Sequence, residues 1–219
     1  MHNEDLFQAQ PQPAAGMVVR LGESAVLLKA YAEQAAPALL EAITHITGIA
    51  PWRNMVTPGG YEMSVAMSNC GDYGWVSDRR GYRYAPQDPL TGRHWPTMPQ
   101  AWLALVKGAA QSAGFSGFVP DACLINRYAV GARMGLHQDR DEADLRHPIV
   151  SVSLGLPAVF QFGGNKRAEP VQRVLLEHGD VVVWGGVDRL RFHGIQPLKP
   201  GARDDTGSYR YNLTFRKAG

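Results

Sequence analysis

From Ala122 onward the chain breaks into short runs in which apolar and polar residues alternate, with Gly, Pro, Asp and Asn between them. No other feature restricts the fold as strongly. The runs are Cys123–Tyr128, Pro148–Leu154, Ala158–Phe162, Val171–Glu177, Asp180–Trp184, Arg191–Ile195 and Tyr209–Arg216. A period of two over so few residues is the pattern of β-strands. Many short strands separated by turn residues fit a sandwich or jelly roll. Two stretches upstream carry the helical period instead. In Glu23–Ile46 the residues Ala25, Leu28, Ala32, Ala35, Leu39, Ala42, Ile43 and Ile46 recur at three and four, predicting one helix interrupted at Pro37. Pro99–Ala113 predicts a second, with Trp102, Leu105, Val106 and Ala109 on one stripe and Gly114 as its stop. Helices followed by strands make the fold class α+β.

The remaining sequence is less regular. Residues 1–16 predict a flexible lead-in, and 17–219 a single domain, a length that can bury one sizeable core. Val18–Leu21 predicts a short strand and Thr57–Gly60 a turn. Tyr61, Met63, Val65 and Met67 alternate with polar and small residues, as in a strand with one apolar face. Residues 70–95 mix Tyr73, Trp75, Tyr82, Tyr84 and Trp95 with Asp and Arg, predicting irregular structure or a hairpin. Cys70 and Cys123 form no CxxC, which argues against a disulfide framework or a cysteine zinc site. The first residues carry Glu4 and Asp5 and no apolar run of signal-peptide length, and no run reads as a membrane span. The expected place is a reducing cytoplasm. A formal charge of +2 permits a nucleic-acid partner without arguing for one.

Two histidines and an aspartate carry the first chemical signal. In His137-Gln-Asp139 the imidazole and carboxylate lie at i and i+2, on one side of an extended chain, where they can grip one ion together. The tripeptide alone is weak. His193, between Phe192 and Gly194, supplies a third ligand far along the chain. Two histidines and one carboxylate suit a non-haem Fe(II) facial triad with open positions, or a catalytic zinc. The C-terminal strand weighs between them. Tyr209, Tyr211, Leu213 and Phe215 share one face, and Arg210, Asn212, Thr214 and Arg216 share the other. Arginines turned inward would be costly without anions. Six residues of strand separate the two by about 20 Å, so the guanidiniums could meet the two ends of a small dicarboxylate. Alternation alone leaves open whether Arg216 instead sits in solvent at the chain end. Asn126 and Tyr128, again at i and i+2, could add hydrogen bonds to the same acid or be ordinary strand residues.

The segments MVTPGGYEMSVAMSNCG, PDACLINRY, HQD, PIVSVSLGLPAVFQFGG, LLEHGDVVVWGG, FHGIQPL and RYNLTFR together resemble the AlkB family of Fe(II)- and 2-oxoglutarate-dependent dioxygenases. The resemblance runs from Met55 to Arg216. It implies a double-stranded β-helix (jelly-roll) core over about 120–219, N-terminal helices, and a nucleotide-recognition lid over about 50–98. It implies Fe(II) on His137, Asp139 and His193, with O2 and 2-oxoglutarate as co-substrates. Arg210 and Tyr128 would hold the far carboxylate of the keto-acid, Arg216 would lie toward the metal, and Asn126 and Asn212 would add contacts. Tyr61, Met63, Ser64, Trp75, Tyr82, Asp141 and Arg167 would meet the substrate. The implied reaction is oxidative removal of N-alkyl groups, as in 1-methyladenine and 3-methylcytosine, from DNA of one or two strands, or from RNA, by a monomer with no membrane partner. The alternatives are a hydroxylase of a protein or small molecule, and a non-catalytic jelly-roll binding module.

Overall fold

The computed structural model describes residues 16–219. The expected lead-in over 1–16 therefore falls, Gly16 apart, outside the described residues. In chain order the elements are β1 (Val18–Arg20), β2 (Ala25–Leu28), α1 (Ala36–Ile49), β3 (Arg53–Val56), β4 (Glu62–Gly71), β5 (Gly74–Asp78) and β6 (Gly81–Ala85). These are followed by α2 (Gln100–Ser112), β7 (Ala122–Tyr128), β8 (Met134–His137), β9 (Ile149–Gly155), β10 (Ala158–Phe162), β11 (Gln172–Leu176), β12 (Val181–Trp184), β13 (His193–Ile195) and β14 (Arg210–Arg216).

The strands build a jelly-roll sandwich. One sheet has eight strands in the order β1-β2-β12-β9-β14-β7-β4-β3, the other four in the order β11-β10-β13-β8. Neighbours in both are antiparallel. The strands β5 and β6 form a separate hairpin.

Alternation sorts the residues of the large sheet between two cores. Ile125, Val150, Val152, Val181, Val183, Leu213 and Phe215 point outward and meet Leu39, Ile43 and Ile46 of α1 and Trp102 and Val106 of α2. Trp102 meets Phe215 edge-on at 5.9 Å between ring centres. Burying one such side chain stabilises by about 1.5–3 kcal/mol. Leu27, Met67, Leu124, Tyr128, Ile149, Val182 and Trp184 point the other way, against Phe160, Phe162, Leu176 and Ile195 of the small sheet. The helices thus clamp one face of the large sheet, and the other face is left to line the sandwich interior.

The helix predicted over Glu23–Ile46 is a strand, a turn and a shorter helix. Ala25–Leu28 is the strand β2, paired with Val181–Trp184 of β12. Its residues face alternate cores: Ala25 and Leu27 lie in the interior and Leu28 against the helices. A strand covered on both sides reads as an unbroken apolar run, which periodicity alone cannot tell from buried helix. The chain then turns through Ala30, at φ 54°. Pro37 sits in the first turn of α1. It starts the helix rather than interrupting it, since its missing N–H is one the first turn leaves unpaired in any case. Two further strands were not anticipated, β3 and β8, and residues 70–95 contain the hairpin.

Candidate active site

The interior face of the central strands is polar where a sandwich is ordinarily greasy. Directly opposed pairs Arg210–Tyr128 and Asn212–Asn126 come from β14 and β7, and Asn212–Ser153 from β14 and β9. Asn126, Tyr128, Ser151, Arg210, Asn212, Thr214 and Arg216 all line one cavity of about 790 Å³. Asn212 is committed to the protein: its amide N–H donates to Ser151 Oγ (2.8 Å) and Val152 O (3.1 Å), and its carbonyl accepts from Thr214 Oγ1 (2.9 Å) and Asn126 Nδ2 (3.2 Å). Arg210 is not. It is 1% exposed, its Cζ lies 5.0 Å from the centre of the Tyr128 ring, and Nη2 donates to Ser153 Oγ (3.0 Å). Nε and Nη1 are buried without a partner. Burial without a matching anion pulls this guanidinium below its ordinary pKa. Such an orphaned fork fits a carboxylate, which would satisfy it bidentately.

The three candidate ligands meet at the open edge of the small sheet. His137 ends β8 and His193 begins β13, and the two are direct cross-strand partners. Opposed residues in an antiparallel pair point to the same side, and the two rings lie 4.4 Å apart. A register shift between His193 and Ile195 kinks this pair. Gly194 permits the close approach, because a Cβ there would lie 2.6 Å from Met134 O. His137 Nδ1 engages Gly135 O (2.8 Å) and His193 Nδ1 engages Arg191 O (3.0 Å). These contacts orient both rings with Nε2 toward Asp139, at 3.5 Å from Oδ1 for His137 and 3.6 Å from Oδ2 for His193. One donor atom from each of the three residues lies within 4.8 Å of the others. Two imidazole nitrogens and a carboxylate oxygen suit a divalent first-row metal, Fe(II) among them.

Arg216 is buried rather than in solvent, but not on a free anion. Its Nη2 (2.6 Å) and Nε (3.1 Å) donate to Asp139 Oδ2, and Nε also lies 3.2 Å from Glu142 Oε1. Burial alone would raise the Asp139 carboxyl. The positive charge of Arg216 and the donors on His193 and His137 overcome this and hold it well below the usual carboxylate range. Asp139 is therefore an anion ready to ligate. Burial also lowers His193, keeping its nitrogen free for a metal.

Toward the mouth, the same cavity is lined by Met63, Ser64, Trp75, Tyr82, Asp141 and Arg167. Trp75 and Tyr82, on opposite strands of the hairpin, stack at 5.5 Å with 14° between planes. Trp75 Nε1 donates to Asp141 Oδ2 (2.9 Å). One face of Trp75 is thus already covered, which the sequence did not indicate. Tyr61 lies apart: it is 78% exposed beside the Thr57–Gly60 turn and does not line the cavity.

The chain matches the description 2OG-Fe(II) oxygenase superfamily over residues 24–216. It is 60% identical over 198 residues to the alpha-ketoglutarate-dependent dioxygenase AlkB of Salmonella typhimurium, covering 90% of this chain and 92% of that one. The chain belongs to the AlkB family of the 2OG-Fe(II) oxygenase superfamily. As a member it is a dioxygenase that uses Fe(II), 2-oxoglutarate and O2. The solved structure of OsALKBH1 superposes at a TM-score of 0.81 with 28% identity, covering 92% of this chain and 100% of that one. The nucleic acid dioxygenase ALKBH1 of Mus musculus is 32% identical over 127 residues, 58% of this chain and 32% of its own.

Several residues of this family member escaped the sequence reading. Glu142, Arg189 and Tyr84 converge behind Asp139, Gln138 donates to Leu190 O and Asn165 O, and Ser151 and Ser153 present hydroxyls to Asn212 and Arg210. The tract Val187–Arg191 supplies two anchors. Arg189 Nη1 donates to Asp139 O (2.7 Å), and Arg191 Nε donates to Gly163 O. The signal that could have found them is weak: charged residues in DRDE and VDRLR look like solvated loops unless the partner strand is known.

Proposed function

We propose that this dioxygenase removes alkyl groups from the ring nitrogens of nucleic-acid bases, such as 1-methyladenine and 3-methylcytosine, in DNA or RNA. The observation that carries this reading is continuity. One cavity runs from the orphaned Arg210, past the His137–Asp139–His193 cluster, to Trp75, Tyr82 and Asp141 at the mouth. The reading places Fe(II) on the three ligands and the far carboxylate of 2-oxoglutarate on Arg210, beside Tyr128. With O2, that centre supplies the oxidation of the N-methyl carbon, while 2-oxoglutarate leaves as succinate and CO2 and the hydroxylated methyl leaves as formaldehyde.

The chain's own residues do the rest. His137 and His193 present their Nε2 atoms to the ion, and Arg216 keeps Asp139 ionised. Apolar Leu124, Phe160, Leu176 and Trp184 line the cavity with them and exclude water from the reacting carbon. A methyl on the pairing edge weakens base pairing and lowers the cost of extruding that nucleotide. Trp75 would stack on the extruded base, a contact worth about 1–3 kcal/mol. Such bases carry positive charge near neutral pH, which Asp141 at the mouth favours. Met63, Ser64 and Arg167 complete the rim, and Tyr61 stands outside it. One chain holds the whole constellation, so the reading has it act as a monomer. Free, buried Cys70 and Cys123 fit a reducing cytoplasm, and among the described residues no helix is long and apolar enough to cross a membrane.

The test is product stoichiometry on an oligonucleotide carrying 1-methyladenine, with iron, 2-oxoglutarate and air. Formaldehyde and succinate released one to one, with only slow succinate from the unmodified oligonucleotide, is the expected result. Succinate that ignores the methyl group would point to another substrate.

A further inference from the structure

Behind the metal cluster lies a buried chain of charges that reaches the β5–β6 hairpin. Arg216 holds the Asp139 side chain through Oδ2 (2.6 Å), and Arg189 holds the Asp139 main-chain carbonyl (2.7 Å). Glu142 joins the two arginines, with Oε1 at 3.2 Å from Arg216 and Oε2 at 3.0 Å from Arg189. All three of these residues are buried, at 3–7% exposure. The two arginines face the two carboxylates at 2.6–3.2 Å, but Glu142 Oε2 has no hydrogen-bond partner, so the posture of Glu142 depends on what reaches its other oxygen. One further donor reaches this hub, and it comes from the hairpin: Tyr84 Oη donates to Glu142 Oε1 at 2.9 Å. Burial keeps the Tyr84 phenol protonated well above its ordinary pKa, so it remains a donor.

The two ties of the hairpin to residues 139–142 differ in kind. Trp75 to Asp141 is an exposed rim contact that water can replace. Tyr84 to Glu142 enters the buried hub that aims the metal ligand. We propose that Tyr84 is a positioning residue: its hydroxyl on Glu142 links the seating of the β5–β6 hairpin to the posture of Asp139 through Arg216 and Arg189. Seating the hairpin gives Glu142 Oε1 its hydrogen-bond donor and steadies Arg216. Occupying the three ligands fixes Asp139, and through the same contacts holds Tyr84 and its strand. Such a link is reciprocal: whatever the hairpin does for metal affinity, the metal does for the hairpin.

The experiment uses the full chain under anaerobic conditions with Co(II) as the metal probe, followed by its visible absorption and by amide hydrogen exchange over residues 74–85. It rests on the ligand set proposed above, and the two can fail separately. In the wild-type chain, saturating Co(II) slows exchange of the hairpin amides. In Tyr84→Phe, which keeps the ring and its packing, Co(II) binds about 3- to 10-fold more weakly, the range a single hydrogen bond supports. At saturating Co(II) the hairpin amides of this variant exchange as in the metal-free protein. Arg80→Ala, at the exposed turn of the same hairpin, keeps the cobalt-dependent protection. Protection that survives in Tyr84→Phe, or that is absent from the wild type, overturns the link. Co(II) that fails to bind the wild-type chain overturns the ligand set and the link with it.

Discussion

The inner face of β14 and the hairpin β5–β6 line one cavity, the first with two arginines and the second with the aromatic rings of Trp75 and Tyr82, and they do so under opposite physical conditions. On β14, Arg210 and Arg216 are sealed from water; Arg210 meets Ser153 and Tyr128 of the neighbouring strands, and Arg216 meets Asp139 and Glu142 of the loop after β8. On the hairpin, Tyr82 is exposed, and Arg83 and Arg80 are already engaged by Asp78 (2.8 and 3.5 Å). Sealed charges must be complemented, because an unmatched one costs several kcal/mol. Arg210 therefore states what the interior lacks, an anion, while Asp139 and Arg216 already match each other beside the free Nε2 atoms of His137 and His193. Exposed groups need no partner, so the hairpin sets which substrate enters and how tightly it is held. The interior defines the chemistry, and the rim defines the selection.

The comparison can be broken most severely at the metal ligands. His137→Ala or Asp139→Ala is expected to reduce formaldehyde release from a methylated oligonucleotide to background. Full activity in either would remove the centre from the account. Next comes Arg210→Met. It is expected to raise the KM for 2-oxoglutarate by the 2–5 kcal/mol typical of truncating one member of a buried charge pair, a factor of about 30 or more. The same variant is expected to melt no lower than the wild type when no ligand is present, since it deletes a buried charge with two unsatisfied nitrogens. Calorimetry without ligand checks this, and a lower melting temperature would mean that the arginine is structural. Trp75→Ala with Tyr82→Ala is expected to weaken oligonucleotide binding by about 1–3 kcal/mol, as for loss of base stacking. Fluorescence anisotropy measures it, and an unchanged affinity would favour a substrate other than nucleic acid.

The smallest effect concerns acid stability at the Arg53–Asp88 ion pair, outside the cavity lining. Arg53 grips Asp88 with two bonds of 2.7 and 2.6 Å and, against a smaller effect of burial, lowers its pKa below the ordinary 3.8. A carboxyl lowered on folding stabilises the native state above its unfolded pKa, and that stabilisation fades as pH falls through the folded value. Asp88→Asn should therefore melt below the wild type at neutral pH and approach it below about pH 3.8. A gap that persists undiminished in acid would assign the loss to something other than ionisation.

How much of this was legible in the sequence follows from the same contrast. The strict alternation of Arg210, Asn212, Thr214 and Arg216 against Tyr211, Leu213 and Phe215 showed a strand with a polar inner face. The spacing of His137, Asp139 and His193 showed a candidate ion site, because strand geometry converts such patterns directly into faces. Ala25–Leu28 was illegible as a strand because both of its faces are covered, which erases the alternation. Four residues and a register shift left Met134–His137 below any periodic signal. Glu142, Arg189 and Tyr84 were illegible for another reason: charged and phenolic residues in short loops look solvated until the fold brings opposite charges together. The stacking of Tyr82 on Trp75, and the outward position of Tyr61, depend on hairpin geometry that the aromatic content of the segment does not encode.

The central claim is the division between interior and rim. It is tested most directly by succinate formation from 2-oxoglutarate without any nucleic acid, compared between Trp75→Ala/Tyr82→Ala and Arg210→Met. The account predicts that the rim variant keeps the slow wild-type rate, while the interior variant loses it at ordinary keto-acid concentrations and regains it only at much higher ones. A rim variant that loses this reaction, or an interior variant that keeps it with an unchanged KM, would contradict the account.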